Sequence, residues 1–162
     1  MASHFRHRFF INQFTSSAKL GFRIEGYTHY SSDGSKCQTK GSDIKPRTRG
    51  EIGNENEFRK FFKDKEFLIK KVIKKLRKLE KALCSSEWFW HHELICSSLM
   101  IILYADKATV HMIDFGKTVC QQQRISHDIP WKLGNHEDGY LIGLRNLQRI
   151  LHKLKPKNNK LE

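Results

Sequence analysis

The sequence predicts an α+β domain, because strand-like and helix-like hydrophobic patterns share one short chain. Two apolar runs, residues 94–104 and 109–113, are joined by a short polar turn and read as a hairpin. Two longer stretches, 57–83 and 137–155, repeat apolar residues at helical spacing. With 162 residues, 38% of them hydrophobic and eleven of them Phe, the chain has room for a single domain, 1–162, with a real core.

Taken in order, residues 1–20 are basic and aromatic, with His4, Arg6, His7, Arg8, Phe9, Phe10 and Phe14. Residues 21–30 read as a strand, with Phe22, Ile24 and Tyr27 alternating with polar residues between glycines. Arg23 and Glu25 suit a structural ion pair there. Residues 31–56 are rich in Ser, Gly, Lys, Arg and Asp and read as a loop. Over 57–83, Phe58, Phe62, Leu68, Val72, Leu76 and Leu83 mark one helical face, and Lys70, Lys71, Lys74, Lys75, Lys78 and Lys81 mark the other. A basic amphipathic helix suits nucleic acid, acidic lipid or calmodulin, and it equally suits a core helix with a solvated face. Ser85 or Ser86 ahead of Glu87 is a helix start, followed by a short turn of helix over 88–92. His91 and His92 are adjacent, so on a helix they point apart and form no metal pair.

The hairpin follows. Leu94 to Tyr104 is too apolar for a surface strand, and Cys96 within it reads as a small hydrophobe. The turn falls at 105–108, and the second run climbs back to Ile113. Leu141, Leu144, Leu147, Leu151 and Leu154 line the buried face of the closing helix, which ends at Pro156 and a Lys/Asn tail.

The formal charge of +13 calls for a polyanionic partner, whether nucleic acid, an acidic membrane face or a phosphorylated small molecule. Four cysteines without Cys-x-x-Cys spacing suit a reduced, intracellular protein of the cytoplasm or nucleus. Residues 1–10 lack the apolar stretch of a signal peptide, and the longest apolar run is too short to span a bilayer.

The chemistry gathers where the second run ends, at Asp114-Phe115-Gly116-Lys117. A carboxylate leaving a strand beside a glycine and a lysine can hold a hard cation against phosphates. Such a cation takes one or two carboxylates and fills its remaining positions with phosphate and water. Lysine adds a point charge for a phosphate oxygen. A protein kinase would carry the same Asp-Phe-Gly after a His-Arg-Asp loop, with a Gly-rich loop and a strand lysine upstream. None of these is present, which excludes that class.

Met112-Ile113-Asp114-Phe115-Gly116-Lys117-Thr118, with Ser97-Ser98-Leu99-Met100 before it, closely resembles the inositol polyphosphate kinase family, nearest its inositol trisphosphate 3-kinase branch. His127-Asp128-Ile129-Pro130-Trp131 and Gly134-Asn135-His136-Glu137-Asp138-Gly139-Tyr140-Leu141 look like that branch's His-x-x-Pro-Trp and Gly-Asn-x-Glu-Asp-Gly-Tyr-Leu. Leu20-Gly21-Phe22-Arg23-Ile24-Glu25-Gly26 is identical to a further motif of the branch. Four motifs in the family's order cover most of the chain.

The resemblance implies the large C-terminal lobe of the kinase fold, an antiparallel sheet flanked by helices, without the N-terminal ATP-binding lobe. It implies ATP and Mg2+ as cofactors and an inositol phosphate as substrate. By the same resemblance Asp114 ligates magnesium, Ser98 sits beside the metal and nucleotide, and Lys117 and Arg6 contact the inositol phosphate. Tyr140 and Trp131 would pack rather than react. Phe10 falls on a family tryptophan, the next family arginine falls on Ile11, and a nucleotide-binding lysine falls on Thr28. The family's catalytic Asp-x-Lys-x-Gly would lie upstream of Leu20. Asp43-Ile44-Lys45 lacks its proline and glycine and lies downstream.

Three readings follow: a fragment of an inositol phosphate kinase, a truncated relative that binds inositol phosphates or a partner without catalysis, or a basic nucleic-acid-binding module. Under the first two the chain alone is inactive and leaves apolar surface exposed where a smaller lobe would dock.

Overall fold

A computed structural model describes residues 16–31, 33–44, 50–130, 132 and 135–156. Arg6, Phe10, Ile11 and Trp131 lie outside the described residues. The chain runs through α1 (Ser17–Leu20), β1 (Gly26–Tyr30), β2 (Lys36–Lys40), α2 (Glu51–Phe61), α3 (Ile69–Cys84) and α4 (Glu87–Trp90). It continues through β3 (His92–Glu93), β4 (Ser98–Tyr104), β5 (Lys107–Ile113), β6 (Val119–Cys120) and α5 (Tyr140–Leu154). The α+β class is as expected. The expected single antiparallel sheet is instead three two-stranded antiparallel ladders, β1–β2, β3–β6 and β4–β5.

The core is helical. α3 packs on α5 and on β5, and α2 packs on α5. Phe62, Leu68, Val72, Leu76, Phe89 and Ile150 are fully buried at the centre. All five leucines expected on the inner face of the closing helix are buried. That helix begins at Tyr140 rather than 137, because Gly139 takes a left-handed conformation (φ 68°) that a helix cannot continue through. α5 also approaches the end of α1 so closely that a Cβ on Gly143 would lie 2.5 Å from the Gly21 carbonyl oxygen. Only glycine fits at that crossing.

Other expectations need correcting. The loop expected over 31–56 contains β2 and the first turns of α2. Strand β2, Lys-Cys-Gln-Thr-Lys, is solvated along nearly its whole length, so it carries no apolar alternation to read. It forms because Gly34 (φ 81°) and the Asp33 carboxylate, which accepts the Ser35 amide at 2.8 Å, turn the chain back on β1. The strand expected over 21–30 shrinks to Gly26–Tyr30, with the Arg23–Glu25 ion pair in the extended approach to it.

The helix expected over 57–83 is two helices. Its apolar spacing runs on across the break, but the backbone reverses through Asp64 (φ 60°). Phe62 and Leu68 remain buried on either side of that turn. Ser86 caps α4 as expected, its hydroxyl accepting the Phe89 amide at 3.3 Å.

The β4–β5 hairpin turns at Ala105 (φ 48°) and Asp106, two residues earlier in its return than the sequence suggests. Leu99, Ile101 and Leu103 pack against the core, as do Val110 and Met112 across from them. The other face is open, contrary to expectation: Met100, Ile102 and Tyr104 are 40%, 44% and 76% exposed. Cys96 is exposed too, just ahead of the strand rather than within it.

Candidate functional site

Two ladders bracket the predicted site. β3 leads through residues 94–97 into β4, while β5 leads through 114–118 into β6. Because β3 pairs with β6 and β4 pairs with β5, both connecting segments are held at both ends. Glu93 sits opposite Val119, and Ser98 sits opposite Ile113. Each segment contains a non-glycine residue in the left-handed region, Cys96 (φ 56°) and Asp114 (φ 66°). Such a conformation costs on the order of 1 kcal/mol for a residue with a Cβ, and aspartate tolerates it better than most.

Ser98 stands opposite Ile113 in the ladder, and Asp114 follows Ile113 in the chain, which sets the two near each other. They line one end of a groove of about 1850 Å³ between β1 and β4, together with Gly26, Thr28, Ile101 and Tyr140. Strands β1 and β4 both line it, and among the described residues each is paired along one edge only, β1 to β2 and β4 to β5. Lys117 is exposed in the turn that Thr118 closes on the Phe115 carbonyl, and it is not part of the groove wall. The structure therefore groups two of the four predicted site residues. Arg6 lies outside the described residues. A smaller cleft of about 460 Å³ beside Arg23, Glu25 and Lys40 contains none of them.

The donor set tests the cation. Among the described residues no three His, Cys, Asp or Glu side chains converge as a metal site. Asp114 offers one exposed carboxylate and Ser98 one half-buried hydroxyl. Two oxygen donors fit a magnesium ion only if phosphate and water complete its shell. They do not make a stand-alone site for a structural metal.

Tyr140 lies at the groove, its hydroxyl buried and without a partner among the described residues. Burial and then the nearby Asp138 charge push its pKa well above the ordinary phenol value. A phenol held neutral this firmly is a packing group with an unused donor. It is not an acid at neutral pH.

The sequence motifs conceal a second constellation, which positions the first. His127 is fully buried, strained (φ 59°) and stacked on Phe89 at 3.7 Å. Its Nε2 lies 2.7 Å from the Phe89 carbonyl and its Nδ1 2.8 Å from an Asp138 carboxylate oxygen. A carbonyl and a carboxylate can only accept, so both ring nitrogens carry protons and the ring is an imidazolium. Burial pulls its pKa down, but the Asp138 hydrogen bond and charge, the Phe89 carbonyl and the Glu137 charge outweigh it, and the net shift is upward. Asp138 also accepts the amides of Leu94 at 2.7 Å and Tyr140 at 2.9 Å. Glu137 accepts the amides of Ser126 at 2.9 Å and His127 at 2.8 Å. Together these acceptors fasten α4, the 125–128 loop and the start of α5 to Leu94, four residues ahead of Ser98. The clue in sequence was the His127 and Glu137-Asp138-Gly139-Tyr140 motifs themselves. Their structural role becomes visible only in the packing.

The site thus places a strand-end carboxylate and a serine on adjoining strands of one groove. The family described as "Inositol polyphosphate kinase" matches residues 6–152 of the chain. Inositol-trisphosphate 3-kinase A of Homo sapiens is 41% identical over 143 residues, which cover 86% of this chain and 30% of that protein. Inositol-trisphosphate 3-kinase B of Homo sapiens is 40% identical over 144 residues, 86% of this chain and 14% of that protein. The inositol-trisphosphate 3-kinase homolog of Caenorhabditis elegans is 34% identical over 143 residues, 86% of this chain and 28% of that protein. The chain belongs to the inositol polyphosphate kinase family. It spans less than a third of each of these relatives.

Proposed function

We infer that the chain carries the metal-facing and substrate-facing part of an ATP-dependent inositol phosphate kinase of the inositol trisphosphate 3-kinase type. The observation that carries this reading is the bracketed pair: Asp114 and Ser98 face one groove from two segments clamped by the β3–β6 and β4–β5 ladders. Phosphoryl transfer needs little covalent chemistry from the protein and much positioning, so a rigidly held carboxylate is the expected form of such a site. Asp114 and Ser98 would hold the magnesium, which when bound neutralises charge on the nucleotide phosphates. Lys117 and Arg6 would meet the phosphates of the inositol, and the surplus of basic residues draws such a polyanion in.

By itself this chain binds substrate and does not turn it over. Its sequence holds no Asp-x-Lys-x-Gly, and residues that act as a unit fail together when one is missing. Calorimetry of the 162-residue chain with inositol trisphosphate, and a phosphate-transfer assay with MgATP, test both halves. Binding without transfer is expected. Absence of inositol phosphate binding at millimolar ligand overturns the substrate assignment. Transfer that disappears in Asp114→Asn overturns the inactivity while upholding the kinase.

A further inference from the structure

Helix α3 holds six lysines and Arg77 against a single acid, Glu80. Glu80 is spent elsewhere: it is turned to α5, where its carboxylate takes Arg145 at 2.8 Å and Gln148 at 2.7 Å. Lys70, Lys71, Lys74, Lys75, Lys78 and Lys81 are all exposed. Lys71 reaches Asp106 in the hairpin turn. Among the described residues no carboxylate faces Lys74, Lys75, Lys78 or Lys81. Lysines three and four apart on one helix repel one another and weaken it. The inner face, Ile69, Val72, Ile73 and Leu76, is buried and accounts for the helix, but among the described residues nothing in the packing accounts for Lys74, Lys75, Lys78 and Lys81.

We propose that the lysine face of α3 is a docking surface for an anionic lipid bilayer. From Lys70 to Lys81 the stripe is about 16 Å long at the helical rise. Phe67, 54% exposed in the turn directly ahead of α3, gives its leading end an aromatic ring to enter the headgroup layer. The composition selects this partner over others. Base readout favours arginine forks, and the one arginine of α3, Arg77, is engaged with His152 at 2.8 Å; single-stranded nucleic acid needs aromatic platforms between the cations, and the stripe has none. Calmodulin takes the apolar face of a target helix, and that of α3 lies in the core. A lysine near an anionic bilayer strengthens association roughly fivefold. No described helix is long and apolar enough to cross a membrane, so the contact is peripheral. No α3 residue lines the groove that holds Asp114, and docking leaves that groove open.

Vesicle co-sedimentation of the full chain tests this, with phosphatidylcholine alone and with about a third phosphatidylserine. Binding is expected only to the anionic vesicles, falling steeply with salt. Lys74→Glu/Lys75→Glu/Lys78→Glu should weaken it more than tenfold. Lys36→Glu/Lys40→Glu/Lys132→Glu, with the same net charge, should weaken it less than threefold. Phe67→Ser should weaken it severalfold without changing the salt slope, and circular dichroism of each variant checks folding. Equal losses in the two triple variants, or anionic-vesicle binding no tighter than neutral, overturn the proposal. So does tighter binding to an RNA duplex than to the anionic vesicles at the same salt, which makes nucleic acid the partner.

Discussion

The two ends of segment 94–98 are built on opposite terms. At Leu94 the chain enters a closed polar node, in which the side chains of His127, Asp138 and Glu137 are buried and their charged groups have found partners. At Ser98 it enters a groove lined by two strands that, among the described residues, each pair along one edge only, with Met100, Ile102 and Tyr104 exposed there. The node stores stability in fully satisfied polar groups, which cost heavily when half broken. The groove leaves hydrogen-bonding and apolar surface unspent, as a site must if something is to enter it. The segment between them is held at one end by the node, through the Leu94 amide, and at the other by the β4–β5 ladder, through Ser98.

The comparison predicts the largest stability loss at the node. Asp138→Ala strands a buried imidazolium and leaves the Leu94 and Tyr140 amides without an acceptor. Removing one partner of a buried charged pair costs about 3–5 kcal/mol, so urea unfolding should show a transition shifted far down or lost. A loss below about 1 kcal/mol would show that the node is not what holds the hairpin entrance.

A smaller effect follows from pH. His127 has a folded pKa above its ordinary value of 6.5, so its contribution is complete below the unfolded pKa and is lost as pH rises through the folded one. His152 is depressed by burial and by the charges of Arg77 and Lys155, and so works in the opposite sense, losing stability as pH falls. The urea midpoint should therefore decline above neutral pH in the unaltered protein, and His127→Gln should flatten that decline while leaving the His152 contribution in place. An unchanged alkaline slope in His127→Gln would remove the imidazolium from the account.

How much of this was legible in the sequence follows the same division. The β4–β5 hairpin was legible as two apolar runs around a polar turn, but its open face was not, because Met100 and Ile102 are as apolar as the Leu99, Ile101 and Leu103 that pack inward. β2 was not, because a strand solvated on both faces leaves no period and is held only by its pairing with β1. The break between α2 and α3 was hidden for the converse reason: Phe58, Phe62, Leu68 and Val72 keep helical spacing through a turn that only the backbone of Asp64 reveals. Of the candidate site, Asp114 was singled out by its place at a strand end and, with Ser98, by family motifs. The two-residue strands β3 and β6 that clamp them are too short to carry any pattern. His127 and Asp138 stand eleven residues apart in sequence, and nothing short of the packing shows that one neutralises the other.

The smallest effect on stability belongs at the groove, and it is the most informative. Asp114 is exposed, and its left-handed backbone is one that asparagine also tolerates. Asp114→Asn should therefore change unfolding stability by no more than about 0.5 kcal/mol. Glycine, which has no Cβ to strain, should stabilise at the same position by roughly 1 kcal/mol. A position where the native residue is less stable than glycine is one where the side chain is kept for its chemistry. Magnesium-dependent binding of a fluorescent ATP analogue should then be lost in both variants, although one is as stable as the unaltered chain and the other more so. Retention of that binding in Asp114→Asn would mean that the carboxylate shapes the turn and that the cation is held elsewhere.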